Sequence, residues 1–404
     1  MAKIERRGAV TLHPLEGHED ARAAVLRAFL AGHLPSVLLL HGPTGVGKQR
    51  FALWIGQLLL CEQLQPSGPC GGCHACILAL RVEHPDLHWY FPVPRPPARG
   101  SPERDQEALE EVRSERLAQR RETPLRPSYS DEVQGLHFAT IRNLRREASR
   151  RPGMGPRRLF LVADAEALVA QESAQEAANA LLKVLEEPPT DTWFVLTASE
   201  PGRLLPTVRS RASPLYLPPL PVTRVREFLR REWSGAGEAE IEKAAELSGG
   251  AIGRALGFLK DGEDEGPLER TRQEAFFLLR AALDPEAAGR FSRALEFDPF
   301  GARSLHEILT LLETWMRDLA AVAAGAETPI LNVGAREWLS RTAGERDLHA
   351  LPLARAVQVV EAARERAAGN VNPQLIVAHL LLELNDALVN RTGRVLAASQ
   401  SEVS

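Results

Sequence analysis

A chain of 404 residues with 49 basic and 53 acidic side chains carries a formal charge of −4, and 44% of it is hydrophobic. That balance excludes disordered and collagen-like classes and supplies two or three ordinary cores at about 150 residues each. No run approaches the ~20 consecutive apolar residues of a bilayer span, and Met1-Ala2-Lys3-Ile4-Glu5-Arg6-Arg7 leads into polar sequence rather than an apolar signal core, so a cytoplasmic location and no binding of nucleic acid by bulk charge alone are expected.

In chain order, Ser36-Val-Leu-Leu-Leu-His is a short apolar run of the kind that forms a buried parallel strand. Gly42-Pro-Thr-Gly45-Val-Gly47-Lys48 follows, then a helical pattern through Leu60. Glycines at Gly42, Gly45 and Gly47 let backbone N–H groups curl round phosphate oxygens, the helix start adds its dipole, and Lys48 neutralises β/γ charge. The next position calls for a Ser or Thr hydroxyl to ligate Mg²⁺; here it is Gln49. The loop is thus equipped to hold ATP but poorly equipped to place its metal.

All four cysteines then fall in one Gly-rich stretch, Cys61-x8-Cys70-x2-Cys73-x2-Cys76. In a reducing compartment such clustering points to a metal rather than to disulfides. Four thiolates suit tetrahedral Zn²⁺, and with no open position the site would be structural. An iron–sulfur cluster is the chemical rival, with unsuitable remaining spacing, and a redox or free-thiol set is the plain alternative.

A helix is expected from about Cys76 to Val82. Pro92 to Asp131 is rich in Pro and charge and reads as a surface insertion whose Glu-rich middle suits an exposed helix. Alternation resumes with a helix over Phe138–Arg150, a strand at Leu159–Ala163, a helix near Glu176–Glu187 and a strand at Trp193–Thr197, which together imply a parallel α/β sheet covered on both faces. The strand at 159–163 ends in Asp164-Ala165-Glu166, where a hydrolase would have adjacent acids, so only one of the two is in register. Arg142, Arg145, Arg146, Arg150, Arg151, Arg157 and Arg158 form a basic stretch suited either to a solvated helix face or to DNA phosphates. Leu217-Pro-Pro-Leu-Pro221 marks a boundary. Beyond it, helical patterns run at Val222–Ser234, Glu238–Leu247, Arg254–Lys260, Leu268–Leu283, Leu305–Ala324, Leu351–Ala368 and Pro373–Asn390, before a polar tail from Ala397 to Ser404.

Ala177-Ala-Asn-Ala-Leu-Leu-Lys-Val-Leu-Glu-Glu-Pro-Pro189, followed by Trp193-Phe-Val-Leu-Thr197 and Leu205-Pro-Thr-Val-Arg-Ser-Arg211, resembles the signature of bacterial clamp-loader AAA+ subunits. With the phosphate loop, the cysteines and His84-Pro85-Asp86, the resemblance covers residues 12–260 and is nearest to the delta-prime branch. It implies an AAA+ P-loop domain with a parallel sheet and zinc-binding loop over 1–216, a helical lid over 217–265 and an all-α collar over 266–396. It further implies that Arg211 reaches a neighbour's γ-phosphate as an arginine finger, although Ala212 stands where the family usually has Cys. Arg209 competes for that role. Thr197 resembles the first sensor. Arg254, in Ser248-Gly-Gly-Ala-Ile-Gly-Arg254, resembles the second; the competing reading is a plain helix-surface arginine. The implied partners are tau/gamma and delta subunits, a sliding clamp and primed DNA, in a polymerase assembly to which this chain brings no polymerase chemistry and little ATPase of its own. Two alternatives stand beside this: an active AAA+ ATPase working through Lys48 and Asp164, and a zinc-stabilised interaction module that uses no nucleotide.

Overall fold

The computed structural model describes residues 12–98, 100–125, 134–168, 174–298, 302–367 and 371–389. The N-terminal residues, the end of the insertion and the polar tail lie outside these. The chain divides into two compact units, Met1–Gly257 and Phe258–Ser404.

The first unit starts with α1 (Glu19–Leu30), β1 (Val37–His41), α2 (Lys48–Leu60), α3 (His74–Leu80), β2 (Leu87–Tyr90) and β3 (Val93–Pro94). It continues through α4 (Pro102–Glu122), β4 (Gln134–Gly135), α5 (Phe138–Ala148), β5 (Arg158–Val162), α6 (Ala174–Glu186), β6 (Thr192–Ala198), α7 (Pro206–Arg209) and β7 (Ser213–Tyr216). Five strands form a parallel sheet in the order β2-β5-β6-β1-β7, and β3 pairs separately with β4. Leu40 stands beside Thr197 and Val162 beside Leu196 in its register.

The pleat explains the apolar runs. Successive side chains of a strand point to opposite faces, so Leu159 and Leu161 pack with Phe51, Ile55 and Leu58 of α2, while Phe160 and Val162 pack with Ile141, Leu144 and Leu181 of α5 and α6. Both faces are covered, which is why these strands lack polar alternation. β7 contains Pro214, which a sheet tolerates at an edge. The Gly42–Gly47 turn, Asp164 and Ser199 all follow the C-terminal ends of neighbouring strands, where open α/β sheets bind ligands.

The insertion differs from its expected form. α4 is capped by Ser101, whose Oγ accepts from the Arg104 N–H at 3.3 Å, and it carries acids in its first turn and arginines in its last, as the helix dipole favours. It is exposed on one side only. Ala108, Leu109 and Leu117 are buried, the two leucines within the core that includes Trp89 and Phe91, and the Arg113 guanidinium donates to the Trp89 carbonyl at 2.9 Å.

After the Pro-rich boundary come α8 (Val222–Glu232), α9 (Glu238–Leu247) and α10 (Ile252–Phe258). Val225, Phe228 and Leu229 of α8 and Ile241, Ala244 and Ala245 of α9 are buried, as their helical spacing requires. The second unit is helical: α11 (Pro267–Ala282), α12 (Ala287–Leu295), α13 (Ala302–Ala323), α14 (Arg336–Glu345), α15 (Ala350–Ala367) and α16 (Pro373–Leu388). Phe276 lies 4.6 Å from Trp315 and 4.8 Å from Trp338, ring centre to centre, and the fully buried Asp318 accepts from the Leu331 and Asn332 N–H groups. Sequence reasoning gave no warning of α1, α12, α14, β2 or β7. Among the described residues no helix is long and apolar enough to cross a membrane.

Candidate functional site

The phosphate-type loop links β1 to α2. Lys48 is buried, and its Nζ donates to the Gly42 and Pro43 carbonyls at 2.8 and 2.9 Å and to Ser199 Oγ at 2.9 Å. Burial lowers its pKa, against the opposing charges of Asp164 and Glu166. His18 Nε2 donates to the Val46 carbonyl at 2.9 Å and fixes the turn from behind. The Gly253 N–H donates to the Gly45 carbonyl at 2.9 Å, and a Cβ added at Gly45 would lie 2.7 Å from the Arg254 nitrogen. Gly45 also has φ +80°, so glycine is required here twice over, by backbone angle and by the close approach of α10. Arg254 therefore lies in the first turn of α10, which starts directly on the phosphate loop.

Gln49 and Asp164 meet. Gln49 Nε2 donates to Asp164 Oδ2 at 3.0 Å, and the Asp164 N–H donates to the buried Thr197 Oγ1 at 3.0 Å. Glu166 takes a different direction. Its Oε1 accepts from the Ser199 N–H at 2.8 Å, its Oε2 is buried without a hydrogen-bond partner among the described residues, and burial raises its pKa. Of the two acids, Asp164 is the one that faces the start of α2.

Three residues escaped the sequence reading. Ser199 receives Lys48, two positions after Thr197. Arg120, at the end of α4, donates from its guanidinium to Gln49 Oε1 at 3.2 Å and lies over the rings of Phe91 and Trp89, 4.0 and 5.0 Å from their centres. Arg50 donates to the Pro124 carbonyl at 2.6 Å. Burial pushes both arginines down to about 10, so both remain cationic at neutral pH. Sequence distance hides these contacts, since nothing local ties residue 120 to residue 49.

Arg211 follows α7 at the surface. One guanidinium nitrogen donates to the Thr207 carbonyl at 2.9 Å, and another pairs with Glu186 at the end of α6. The block at 177–189 thus supplies the carboxylate that holds this arginine.

The four cysteine Sγ atoms lie within 4.8 Å of one another, and no disulfide joins them. Backbone N–H groups of Cys70, Cys73 and Cys76 point at the Sγ atoms of Cys61, Cys70 and Cys73, at 3.3, 3.3 and 3.4 Å. Backbone donation from Cys73 and Gly72 lowers the Cys70 thiol to about 7, whereas burial raises Cys76. Four convergent soft donors, two of them buried, fit a zinc-binding loop. His84-Pro85-Asp86 lies just beyond. The Asp86 N–H donates to His84 Nδ1 at 3.1 Å, and the buried Asp86 carboxylate accepts from Gly153, Met154 and Gly155 N–H at 2.5, 2.8 and 3.0 Å.

The basic stretch does not form one surface. Arg158 is buried and bonds the Glu147 and Arg150 carbonyls, and Arg157 donates to the Leu59 carbonyl at 3.4 Å while lying over Phe29. Both turn inward because they flank the first residues of a central strand. Arg142, Arg146 and Arg150 stay exposed, paired with Gln106, Asn143 and Glu147.

A parallel sheet bearing a phosphate-type loop, an acidic strand end beside it and a helix start resting on the loop define the P-loop class of nucleotide-binding folds. Residues 17–221, just over half of the chain, match the family described as "DNA polymerase III, delta subunit", and the chain belongs to that family. It is 30% identical over 232 residues to the DNA polymerase III subunit delta' of Escherichia coli K12, covering 57% of each chain. To the subunit delta' of Pseudomonas aeruginosa it is 32% identical over 213 residues, covering 53% of this chain and 52% of the other. The match spans a little over half the length of these relatives. A solved gamma-subunit-related protein of Thermotoga maritima is similar at 15% identity over 91% of this chain and 99% of that one, with a TM-score of 0.34.

Proposed function

We propose that this chain is a delta-prime-like subunit of a bacterial DNA polymerase III clamp loader, helping to place a sliding clamp on primed DNA in the cytoplasm. Its partners would be tau/gamma and delta subunits, and it would contribute no polymerase chemistry. In this reading residues 1–216 form the AAA+ domain, 217–265 its lid and 266–396 the collar through which subunits assemble. The four cysteines hold a structural Zn²⁺. Gly42, Gly45, Gly47, Lys48, Thr197 and Arg254 are what remains of a nucleotide site that lacks the hydroxyl at Gln49 and offers one acid, Asp164, where two are needed.

The observation that carries the reading is Arg211. It sits at the surface in the family's motif, held by a half-exposed carboxylate, the Thr207 carbonyl and, at 3.5 Å, the Ser210 hydroxyl. A guanidinium supplied in trans stabilises charge on the transferred phosphoryl and is worth roughly 10³–10⁵ in rate. The Arg211→Ala variant, reconstituted with its partner chains, is expected to assemble normally and to lose hydrolysis at the adjoining site. Full ATPase rate with intact assembly overturns the trans-acting role. Brisk turnover by the isolated chain, abolished in Lys48→Ala, would instead favour the active-ATPase reading.

A further inference from the structure

The position after the phosphate-loop lysine and the acid that follows β5 are where a P-loop enzyme suspends Mg²⁺. The groups found there do not suit a divalent ion. Hard cations of this kind need oxygen ligands, yet the amide nitrogen of Gln49 is turned to Asp164, 3.0 Å away, and the direct contact leaves no gap between them. The one oxygen Gln49 could offer already accepts from Arg120 at 3.2 Å. Arg120 is itself gripped. Its guanidinium lies over Phe91 and Trp89, and the turn that follows its helix is tied to α2 by Arg50 through the Pro124 carbonyl. The charge of Arg120 also acts on Asp164.

We infer that Arg120 is a resident cation standing in for the metal, delivered by the insertion helix α4, so that this phosphate loop is closed to a magnesium-bound triphosphate. The inference rests on reading Gly42–Lys48 as a nucleotide loop, and it gives the insertion a task that the degenerate motif alone does not. A guanidinium beside Gln49 and Asp164 supplies positive charge without vacant coordination positions. It balances Asp164 and cannot polarise an attacking water as a metal would. The silence of the site is then built from two sides: Gln49 removes the ligand, and Arg120 fills the place.

The test uses the full-length chain alone and a fluorescent ATP analogue, titrated in Mg²⁺ and in EDTA. Wild type is expected to give the same affinity, within twofold, in both conditions, or no binding in either. Arg120→Met keeps an unbranched side chain against Phe91 and Trp89 without the charge, and is expected to bind at least fivefold more tightly with Mg²⁺ than with EDTA. A metal response equal to that of wild type overturns the inference, as does wild-type binding tenfold tighter in Mg²⁺. Should the variant fail to fold, electron paramagnetic resonance on wild type with ATP and Mn²⁺ decides: a spectrum of unbound Mn·ATP is expected, and a protein-bound Mn²⁺ signal overturns the inference. An Arg211→Ala complex at full rate refutes the trans-acting reading and leaves this one standing, so the two failures are distinguishable.

Discussion

Replacing Asp86 tests how the sheet positions the site. Its carboxylate accepts three backbone N–H groups, from Gly153, Met154 and Gly155, and its own carbonyl accepts from the Leu159 N–H at 2.8 Å, joining β2 to β5. A hydrogen bond to a charged group contributes roughly 1.5–3 kcal/mol. Met154 is exposed, so water can resatisfy part of the freed loop. We therefore expect Asp86→Ala to cost about 2–4 kcal/mol, which corresponds to amides of β2 and β5 exchanging about 30 to 1,000 times faster. Asp86→Asn can keep the two bonds now made to Oδ2 while turning its NH₂ on the Gly153 N–H, and should lose about half as much. The pH dependence has a fixed sign. Burial alone would raise this carboxyl, but the three N–H donors and His84 outweigh it and the folded pKa is lowered from 3.8. Its contribution is thus complete above the unfolded value and is lost as pH falls through the folded one. Amide exchange by mass spectrometry on wild type and both variants is the assay. Less than a threefold change in β5 for Asp86→Ala, or Asn as harmful as Ala, refutes the account.

Two further outcomes are expected. His88 lies half-buried with its ring stacked 4.6 Å from that of Phe160, and burial lowers it to about 4, so the folded state resists protonation below the ordinary 6.5. Stability of the first unit should fall by about 2 kcal/mol between pH 7 and pH 5 through this group alone, a slope that His88→Phe should remove in urea titrations; an unchanged slope counts against it. For the cysteines, metal analysis of the purified chain should give about one zinc per chain, and Cys73→Ser should lose that zinc together with thermal stability. A folded chain holding neither zinc nor iron would defeat the metal reading.

What the sequence disclosed follows from where each side chain lies. β1, β5 and β6 are buried on both faces, so their apolar runs announce them. β2 and β7 are short and broken by His88 and Pro214, and their strand character comes from neighbours rather than from composition. Lys48, Gln49 and Asp164 were legible because a phosphate loop imposes fixed spacing and because the acid ends a recognisable strand. Arg120 was not. Its helix is so charged that it reads as solvated throughout, and only Ala108, Leu109, Val112 and Leu117 mark a buried side, a sparse stripe easily overlooked. The basic stretch misled for the opposite reason: composition counts Arg157 and Arg158 with their neighbours, whereas entry into a central strand turns both inward.

The contrast between two arginines separates the internal role inferred for one from the external role proposed for the other. Arg211 and its partner Glu186 have side chains 34% and 46% exposed, and a pair so open to solvent holds by no more than about 1 kcal/mol. If Arg211 acts in trans as proposed, releasing it from Glu186 therefore costs little. Arg120 is fixed by two aromatic faces and an amide oxygen, and desolvated cation–π contacts reach about 2 kcal/mol each. Leaving that position would also remove one of the two cations, with Lys48, whose charges act on Asp164. The same residue type is thus held loosely where it points outward and tightly where it points at the chain's own loop. The proposed role, in which charge is lent to a neighbour while the chain's own site stays shut, requires that asymmetry.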